Sequence, residues 1–374
     1  MVNKFYLLLL ALTVNASVVE EQLTKYYPAL EEQTLSKAPP YQNNDRPVIG
    51  ILSLPLHPYE DFPVPQDLTT YIAASYVKYV EMAGARVVPL LIDQSFDELE
   101  KIAKQLNGIL FTGGAANFWK TKNSTQTPPP LSDDYGAKAC YLYDLVKKIN
   151  DNGTYYPLWA TCLGFEVINV CANNDYKTIG DFDGEPPYVR RNNFTDAANS
   201  SWVFTSYNKE IGWMVMKKME NFKLSLLSHS HGVTPESYKE YKNLSDTYTV
   251  LSTMEDKKGK QFIAMIEAKD YPIYGSQFHP EKNLYEWNTA IIPHDEDAVA
   301  MSTFLSNFLV SEARRNNNAF ESKEELKKYL IYNWDPYFID EYFVTIYAFK
   351  GYSDYSHDSS LALALGSLIL LNIL

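Results

Sequence analysis

Apolar runs of strand length alternate with segments of helical periodicity in the first third of the chain. Residues 48–54 (VIGILSL), 86–92 (RVVPLLI) and 108–112 (GILFT) have the continuous apolar pattern of buried strands. Residues 68–84 and 96–106 repeat their apolar side chains at helical spacing. This order predicts right-handed crossovers and a parallel sheet with helices on both faces, which binds ligands at the carboxyl ends of its strands.

The rest of the chain continues the alternation and then changes character. Between residues 176 and 278 it becomes a series of short aromatic segments, WVFTSY, TYTVLST, QFIAMIEA and PIYGSQF, which predict β-structure. No clear break divides residues 46–350, so we predict one domain there. The other predicted elements are a strand (155–160), a loop (115–135) and three helices (138–150, 165–171 and 294–314).

Composition limits the class of protein and of partner. The 374 residues are 46% apolar and 21% charged, which permits one large core and does not favour global disorder. The formal net charge of −13 repels phosphate backbones and gives no attraction to anionic lipid. We therefore expect no nucleic-acid partner.

The N-terminus has the pattern of a secretory signal peptide. Lys4 supplies a positive charge, residues 5–14 are apolar, and residues 14–16 form a small-residue cleavage pattern. We predict a signal peptide at residues 1–16 and a leader or pro-segment at residues 17–45. A membrane anchor is the alternative, but the apolar run is too short to span about 30 Å of hydrocarbon.

Sequons and cysteines agree with a secreted chain. Five Asn-x-Ser/Thr sequons follow the signal, at Asn123, Asn152, Asn193, Asn199 and Asn243, and they favour a glycoprotein. The three cysteines, Cys140, Cys162 and Cys171, are too few for a disulfide scaffold. Their odd number indicates a free thiol, so either one disulfide accompanies a reactive cysteine or all three are free.

The C-terminus ends in an uncharged apolar segment, residues 361–374, which is short for a membrane-spanning helix. Residues 351–360 before it are small and polar. Residues 351–374 thus match a GPI-attachment signal, and the alternative is a tail that packs on the domain or frays. We expect the secretory pathway, with an extracellular, lysosomal or vacuolar destination and with membrane anchoring left open.

Cys162 occupies a turn between a predicted strand and a predicted helix. Such a cysteine has the position of the nucleophile in a nucleophile elbow, where the helix dipole and free N–H groups favour the thiolate. The usual elbow begins with glycine, and here Ala160 takes that place. The alternative is a buried structural cysteine.

Two further motifs complete the pattern of a hydrolase. The N–H of Gly114, in the Gly113-Gly114 turn after the third strand, and that of Leu163 are placed to bind a developing oxyanion. A plain glycine turn is the alternative. His279 follows the strand PIYGSQF and suits a general base, and Glu281 two residues later can hold its ring. The alternative is a surface histidine beside a glutamate.

The order glycine turn, cysteine elbow and His-x-Glu resembles that of the class I glutamine amidotransferase-like hydrolases. Within that group the chain is similar to the γ-glutamyl hydrolase family. The stretches RPVIGILSLP, YIAASYVKYVEMAGARVVPL, NGILFTGG, PLWATCLGFE, YGSQFHPEKNLYEW and SEARRNN carry the resemblance, from residue 46 to about residue 316. The resemblance implies a three-layer (αβα), flavodoxin-like α/β fold with a mostly parallel central sheet and a nucleophile elbow.

The resemblance also implies roles for the three catalytic residues. Cys162 is the expected nucleophile, His279 the general base, and Glu281 the residue that orients the histidine.

In that family a further histidine contacts the glutamate of the substrate. The matching segment is SHSHG, residues 228–232, in which His231 aligns best and His229 competes with it. Gly113 and Tyr71 are expected to border the same substrate site.

The implied activity is that of a cysteine hydrolase that cleaves γ-glutamyl amide bonds of folylpoly-γ-glutamates through a thioester, releasing glutamate or oligo-γ-glutamate. It needs no cofactor, no familiar metal-ligand spacing is present, and the resemblance suggests a homodimer. One alternative is a glutaminase or amidotransferase-like hydrolase of free glutamine, although no room remains for a synthetase domain. The other is a non-catalytic glycosylated surface binding protein, which the intact Cys-His-Glu set does not favour.

Overall fold

The computed structural model describes residues 44–59, 61–119, 131–132 and 135–351. Its strands in chain order are β1 (Val48–Leu52), β2 (Leu54–Pro55), β3 (Leu68–Ala73), β4 (Arg86–Leu90), β5 (Gly108–Phe111), β6 (Leu158–Thr161), β7 (Gly180–Asp181), β8 (Tyr188–Arg190), β9 (Asn193–Phe194), β10 (Ser225–Leu227), β11 (His231–Gly232), β12 (Tyr248–Glu255), β13 (Gln261–Ala268), β14 (Ile273–Ser276), β15 (Pro336–Phe338) and β16 (Thr345–Lys350).

The α-helices of the described residues are α1 (Ala74–Met82), α2 (Phe96–Ala103), α3 (Tyr135–Asp151), α4 (Leu163–Asn173), α5 (Trp202–Thr205), α6 (Lys209–Asn221), α7 (Pro235–Glu240), α8 (Lys242–Thr247), α9 (Lys282–Tyr285), α10 (Glu296–Ala313) and α11 (Lys323–Tyr329). Short 3₁₀ helices lie at His57–Tyr59, Tyr176–Thr178, Asp196–Ser200 and Ile331–Asn333.

The central sheet has eight strands in the order β4-β1-β5-β6-β14-β13-β12-β9. The first five are parallel, and β14, β13, β12 and β9 pair antiparallel with one another. The parallel strands, counted along the chain, have the spatial order 2-1-3-4-5, which is the flavodoxin-like order. The carboxyl ends of β5, β6 and β14 are therefore adjacent at one edge of the sheet.

Local sequence explains why the main elements form where they do. Strand β1 is buried along its whole length, as expected for a parallel strand covered on both faces. Helix α2 begins with a capping box, in which Ser95 Oγ accepts from the Glu98 N–H at 3.2 Å and Glu98 Oε2 accepts from the Ser95 N–H at 3.4 Å. Asp295 caps α10 by its side chain alone, with Oδ1 accepting from the N–H groups of Asp297 and Ala298, each at 3.0 Å.

Helices pack in two groups, one on each face of the sheet. Helices α1, α9 and α10 contact one another, α6 packs on α10, and α1 packs on β1 and β4. Helices α2, α3, α4 and α8 form the other group, in which α4 packs on β5, β6 and β14. A disulfide between Cys140 of α3 and Cys171 of α4 crosslinks the second group and leaves Cys162 as the free cysteine. The predicted three-layer α/β fold with a mostly parallel central sheet is confirmed.

Aromatic packing joins the sheet to the first group of helices. The ring of Phe308 on α10 lies 4.8 Å from that of Tyr274 on β14 and 6.2 Å from that of Trp159 on β6. All three side chains are fully buried. Truncating a phenylalanine in such a position typically costs about 3–5 kcal/mol, so this contact is a main support of the strand that precedes the cysteine turn.

Residues 68–84 differ from the predicted single helix. Residues Leu68–Ala73 form strand β3, and only Ala74–Met82 are helical. Strand β3 pairs antiparallel with β16 and β2 in a separate sheet of order β15-β16-β3-β2. This pairing with the far end of the described chain overrides the local helical spacing, because it satisfies the backbone of the buried strand.

The aromatic stretch at residues 202–207 also differs from its prediction. WVFTSY contains helix α5 instead of a strand, with the Thr205 Oγ1 bonded to the Ser201 carbonyl at 2.7 Å. The other three aromatic segments of that region contain strands β12, β13 and β14 as predicted. Helices α6, α7 and α8 and the strands β15 and β16 were not among the predicted elements.

Several predictions concern residues outside those described. These are the signal peptide at residues 1–16, the leader through residue 43, the sequon at Asn123 and the apolar tail at residues 361–374. Within the described ranges, none of the helices combines the length and the apolarity that crossing a membrane requires.

Candidate active site

A cleft of about 730 Å³ opens at the carboxyl ends of β5, β6 and β14. Its lining includes Gly114, Cys162, Leu163, His229 and His279. These residues come from four separate segments of the chain. Three of the segments follow the parallel strands β5, β6 and β14, which end at one edge of the sheet, and His229 comes from the loop after β10 in a separate two-stranded sheet. The structure therefore brings the predicted cysteine, histidine and glycine turn together.

Cys162 lies in a strained turn between β6 and α4. Its backbone has φ 52° and ψ −108°, an unusual conformation for any residue other than glycine, with a typical cost of about 1–3 kcal/mol. Two backbone bonds fix the turn: the Cys162 N–H donates to the Ser276 carbonyl at 2.8 Å, and the Glu166 N–H donates to the Cys162 carbonyl at 2.9 Å. This is the geometry of a nucleophile elbow, and the buried Ala160 fits without distortion of the strand pairing.

Burial opposes ionisation of the Cys162 thiol. Burial raises its pKa well above the ordinary value, and the carboxylates of Glu166 and Glu281 raise it further. The charge of Lys282 and the N–H of Leu163 act in the opposite direction. The helix N-terminus alone thus does not make a stable thiolate, and ionisation of this thiol requires a base that accepts its proton.

His279 has its ring fixed by a buried carboxylate. Its Nδ1 lies 2.8 Å from Glu281 Oε1 and 3.3 Å from the hydroxyl of Tyr76. A carboxylate can only accept, so Nδ1 carries the proton and Nε2 remains a proton acceptor. The backbone N–H of His279 also donates to the Leu226 carbonyl oxygen at 3.0 Å, which holds the backbone of His279 in place.

The backbone of Gly113 lies between the side chains of His279 and Cys162. A Cβ at this position would lie 2.6 Å from His279 Cε1 and 2.9 Å from Cys162 Cβ, so only glycine lets the two side chains approach. Its N–H donates to the hydroxyl of Tyr76 at 2.7 Å. That N–H is therefore engaged in holding the turn.

Gly114 and Leu163 present the N–H groups suited to an oxyanion. Gly114 has φ +148°, and a Cβ there would lie 2.4 Å from Leu54 Cδ1. Within the described part of the chain, neither of the two N–H groups donates to another backbone carbonyl. Both residues line the cleft on the side of Cys162, so both N–H groups remain candidates for the oxyanion site.

The two candidate histidines of the SHSHG segment have different environments. His229 is 5% exposed, and its Nδ1 lies 2.6 Å from the carbonyl oxygen of His231. Its Nε2 has no partner among the described residues, and burial lowers its pKa to about 4. His231 has a half-exposed side chain whose Nε2 lies 3.5 Å from Asp181 Oδ1. The geometry thus favours His229 as the buried contact, although His231 aligned better in sequence.

Tyr71 lies behind the cleft wall. It is fully buried in β3, and its hydroxyl would lie 2.6 Å from a Cβ at Gly114. The border position expected for Tyr71 is occupied by Tyr59, whose ring packs edge-on against it at 5.5 Å and which lines the cleft. The misplacement follows from the strand β3, which turns the Tyr71 side chain into the core.

Sequence reasoning missed a buried polar pair beside Cys162. Gln277 Nε2 lies 2.9 Å from Glu166 Oε1 and 3.8 Å from Cys162 Sγ. Burial raises the pKa of Glu166 to about 7, and the bond from Gln277 lowers it in part. Glu166 follows Cys162 by four residues at the start of α4, a spacing that places both on one helix face and was visible in the sequence.

Other features bear on the wider predictions. The sequon asparagines within the described residues, Asn152, Asn193, Asn199 and Asn243, are all exposed. Among the described residues, no group of three or more His, Cys, Asp or Glu side chains has the arrangement of a metal site.

Comparison with known proteins identifies the family. The family model Peptidase C26 matches residues 47–281. Gamma-glutamyl hydrolase B of Dictyostelium discoideum is 37% identical over 78% of this chain and 79% of its own length. Gamma-glutamyl hydrolase 1 of Arabidopsis thaliana is 34% identical over 83% and 82%, and gamma-glutamyl hydrolase of Homo sapiens is 35% identical over 71% and 78%. The chain therefore belongs to the Peptidase C26 family, as its resemblance to the γ-glutamyl hydrolases predicted.

Proposed function

We propose that this chain is a cysteine hydrolase of γ-glutamyl amide bonds, acting on folylpoly-γ-glutamates and releasing glutamate or oligo-γ-glutamate. The observation that carries the proposal is the shared cleft of Cys162, on its strained turn, and His279, held by Glu281 at 2.8 Å. The relatives named as γ-glutamyl hydrolases support the substrate bond.

Acylation begins with proton transfer from the Cys162 thiol to Nε2 of His279. The sulfur attacks the γ-carbonyl carbon, and the carbonyl oxygen takes the negative charge. The N–H groups of Gly114 and Leu163 stabilise this oxyanion, and one such donor typically contributes about 3–4 kcal/mol. When the intermediate collapses, the C–N bond breaks, the imidazolium protonates the leaving amine, and a γ-glutamyl thioester remains on Cys162.

Deacylation reverses the roles of the same groups. Nε2 of His279 removes a proton from water, the hydroxyl attacks the thioester carbonyl, and the C–S bond breaks. The histidine returns the proton to sulfur, and the acid product leaves. Glu281 stabilises the imidazolium formed in both halves and keeps the ring in one tautomer.

Substrate contacts are assigned to the buried members of the cleft. The neutral Nε2 of His229 is an unpaired acceptor in the lining, so it suits an N–H donor of the bound glutamyl group. His231 lies further out beside Asp181 and is the competing choice.

Replacing Cys162 tests the proposed nucleophile. Cys162→Ala is expected to abolish hydrolysis of a poly-γ-glutamate substrate, with a loss on the order of 10⁴-fold or more, and to leave the melting temperature nearly unchanged. Brief incubation of the unmodified protein followed by acid quench is expected to show the acyl group on the peptide that contains Cys162. Turnover by Cys162→Ala at the rate of the unmodified protein would end the proposal.

Comparison of two substrates tests the proposed bond. Poly-γ-glutamate and free glutamine are supplied at equal concentrations, and glutamate release is measured for each. We expect the γ-glutamyl peptide to be hydrolysed much faster, whereas faster hydrolysis of glutamine would favour a glutaminase. Cys162→Ser serves as the matched control, because it keeps the shape of the side chain and loses the thiolate.

We also propose that the enzyme works in the secretory pathway as a glycoprotein. The support is the signal pattern at residues 1–16, the four exposed sequon asparagines and the Cys140–Cys171 disulfide. The destination, extracellular or lysosomal or vacuolar, the GPI attachment and the homodimer stay predictions. Treatment with a glycosidase, read by gel shift, tests the glycosylation. Treatment with a GPI-specific phospholipase, read by release from membranes, tests the GPI attachment.

A further inference from the structure

Two exposed carboxylates belong to the lining of the cleft, those of Glu185 and Glu341. Of the described lining residues, Lys282 is the only lysine or arginine, and its Nζ lies 4.9 Å from the ring centroid of Phe343. A poly-γ-glutamate chain has a carboxylate on every residue, so Glu185 and Glu341 repel it. The two glutamates therefore suit a ligand of positive charge.

The carboxylate of Glu185 is held in place without being neutralised. The Ser228 hydroxyl donates to its Oε1 at 2.9 Å. The cations nearby in the structure have other partners: Lys258 pairs with Asp183 at 3.2 Å, and Lys257 donates to a backbone carbonyl oxygen. Across the described ranges, no lysine or arginine forms an ion pair with Glu185, so its charge remains available to a ligand.

Two tyrosine rings lie beside this charge. The rings of Tyr59 and Tyr342 are 5.4 Å apart, both residues line the cleft, and Tyr342 is 57% exposed. Tyr59 stacks on Phe62 at 4.6 Å, which fixes its ring. Burial raises the pKa of the Tyr59 hydroxyl, and the negative charges of ionised Cys162 and Glu185 raise it further, so both groups lie within electrostatic reach of the ring. Aromatic faces next to a carboxylate are suited to an ammonium group.

A buried amide oxygen adds a further acceptor to the same lining. Asn288 donates through Nδ2 to the Glu341 carbonyl oxygen, whereas its Oδ1 is buried and has no partner in the described part of the chain. A buried acceptor of this kind requires an N–H donor, and an ammonium group supplies three. The cleft mouth, as we call it, consists of Tyr59, Glu185, Asn288, Glu341 and Tyr342.

We propose that the cleft mouth binds an amine that carries a second positive charge, and that the enzyme transfers the γ-glutamyl group to this amine. The second ammonium group contacts the tyrosine rings and the carboxylate of Glu185, and the other amino group reaches the thioester. The proposal rests on the proposed function, because it requires the γ-glutamyl thioester on Cys162.

The transfer step follows the deacylation step, with the amine in place of water. The neutral amino nitrogen attacks the thioester carbonyl, the C–N bond forms, and the C–S bond breaks. Nε2 of His279 takes the proton that the nitrogen loses and returns it to the sulfur of Cys162. The products are a γ-glutamyl amide and the free thiol, so no further reactant is needed.

Three amines with the same carbon chain test the proposal. Butane-1,4-diamine, butylamine and 4-aminobutanoate differ in a distal group that is positive, neutral or negative. Each is added to the unmodified protein with γ-glutamyl 4-nitroanilide as donor, and mass spectrometry measures the ratio of γ-glutamyl amide to free glutamate. Both products arise from one thioester, so this ratio does not depend on the rate of acylation.

The expected ratio, expressed per neutral amino group, is highest for the diamine. It should exceed that of 4-aminobutanoate by about 10-fold, the effect of one ionic or cation–π contact, with butylamine between them. Equal ratios for the three amines would overturn the proposal.

Variants of the cleft mouth locate the effect. Tyr342→Ala and Glu185→Gln should each reduce the advantage of the diamine severalfold, and Tyr342→Phe should retain it because the ring remains. Tyr332→Ala is the matched control, since this tyrosine is 64% exposed and lies outside the cleft lining. A diamine advantage that persists in both Tyr342→Ala and Glu185→Gln contradicts the assignment.

Acid quench of the reaction separates failure of this proposal from failure of the proposed function. If Cys162 becomes acylated and glutamate is released but the diamine yields no γ-glutamyl amide, transfer is refuted and the hydrolase remains. If Cys162 is never acylated and no glutamate appears, the proposed function fails, and transfer fails with it.

Discussion

Gln277 donates a hydrogen bond to Glu166, with 2.9 Å between Nε2 and Oε1, and both side chains are buried beside Cys162. Burial raises the pKa of Glu166 to about 7, so its carboxyl group is neutral in acid and ionised in alkaline solution. The ionised form raises the pKa of Cys162. Thiolate formation is therefore opposed more strongly above pH 7 than below it.

Replacing Glu166 by Gln removes this charge at every pH and keeps the shape of the side chain. We expect iodoacetamide to alkylate Cys162 severalfold faster in Glu166→Gln than in the unmodified protein at about pH 8. At about pH 5.5 the two rates should agree, because Glu166 is neutral there in both. The exposed Asp144→Asn serves as control, and equal rates at pH 8 would contradict the electrostatic role of Glu166.

Glu281 fixes the tautomer of His279 through the 2.8 Å contact with Nδ1. A glutamine there can donate an N–H to Nδ1 and so stabilise the opposite tautomer, in which Nε2 no longer accepts a proton. We expect Glu281→Gln to lower kcat toward the roughly 10⁴-fold loss known for comparable triads, with KM little changed. Steady-state kinetics measure both constants.

Tyr76→Phe provides the comparison for that prediction. It removes the hydroxyl 3.3 Å from the same Nδ1, together with the acceptor of the Gly113 N–H, and leaves the carboxylate in place. Its loss in kcat should be much smaller than that of Glu281→Gln. A kcat for Glu281→Gln equal to that of the unmodified protein would remove Glu281 from the proposed triad.

Local patterns were sufficient for the parallel half of the sheet and for the order of the site motifs. Strands β1, β4, β5, β6 and β14 are short runs whose signal lies within each run. Cys162 directly follows β6, and His279 lies three residues after the end of β14. The prediction of a single helix at residues 68–84 was wrong because β3 forms by pairing with β16. That strand lies far along the chain, so the local sequence does not reveal the pairing. The same reason hid the contact between Lys282 and Phe343, since the two residues meet only after the chain end folds back.

His229 is expected to contribute more to substrate binding than His231. Its Nδ1 donates a hydrogen bond to the His231 carbonyl oxygen at 2.6 Å. Because burial lowers the pKa of His229 to about 4, the ring is neutral at the pH of an ordinary assay. His229→Ala should raise KM about tenfold or more, the loss of one hydrogen bond in a buried site. His231→Ala should leave KM within about twofold, and the reverse order would return the assignment to His231.

The buried carboxyl group of Glu267, which lies outside the cleft, is expected to make the free energy of unfolding depend on pH. It lies buried on β13, outside the cleft lining, and its Oε2 accepts from the Val203 N–H at 3.3 Å. Burial raises its pKa from 4.5 to about 8, and the neighbouring Glu312 adds to the rise. The folded state thus holds a proton that the unfolded state releases.

The sign of the effect follows from this difference in proton binding. Between about pH 4.5 and about pH 8 the unfolded chain binds fewer protons at Glu267 than the folded chain, so the free energy of unfolding falls as pH rises. Glu267→Gln cannot ionise, and its melting temperature should exceed that of the unmodified protein by a few degrees at pH 8 and match it near pH 4.5. Thermal unfolding followed by circular dichroism across this range measures the difference, with the exposed Glu240→Gln as control. Parallel curves for Glu267→Gln and the unmodified protein would mean that the buried carboxyl group does not govern this part of the pH dependence.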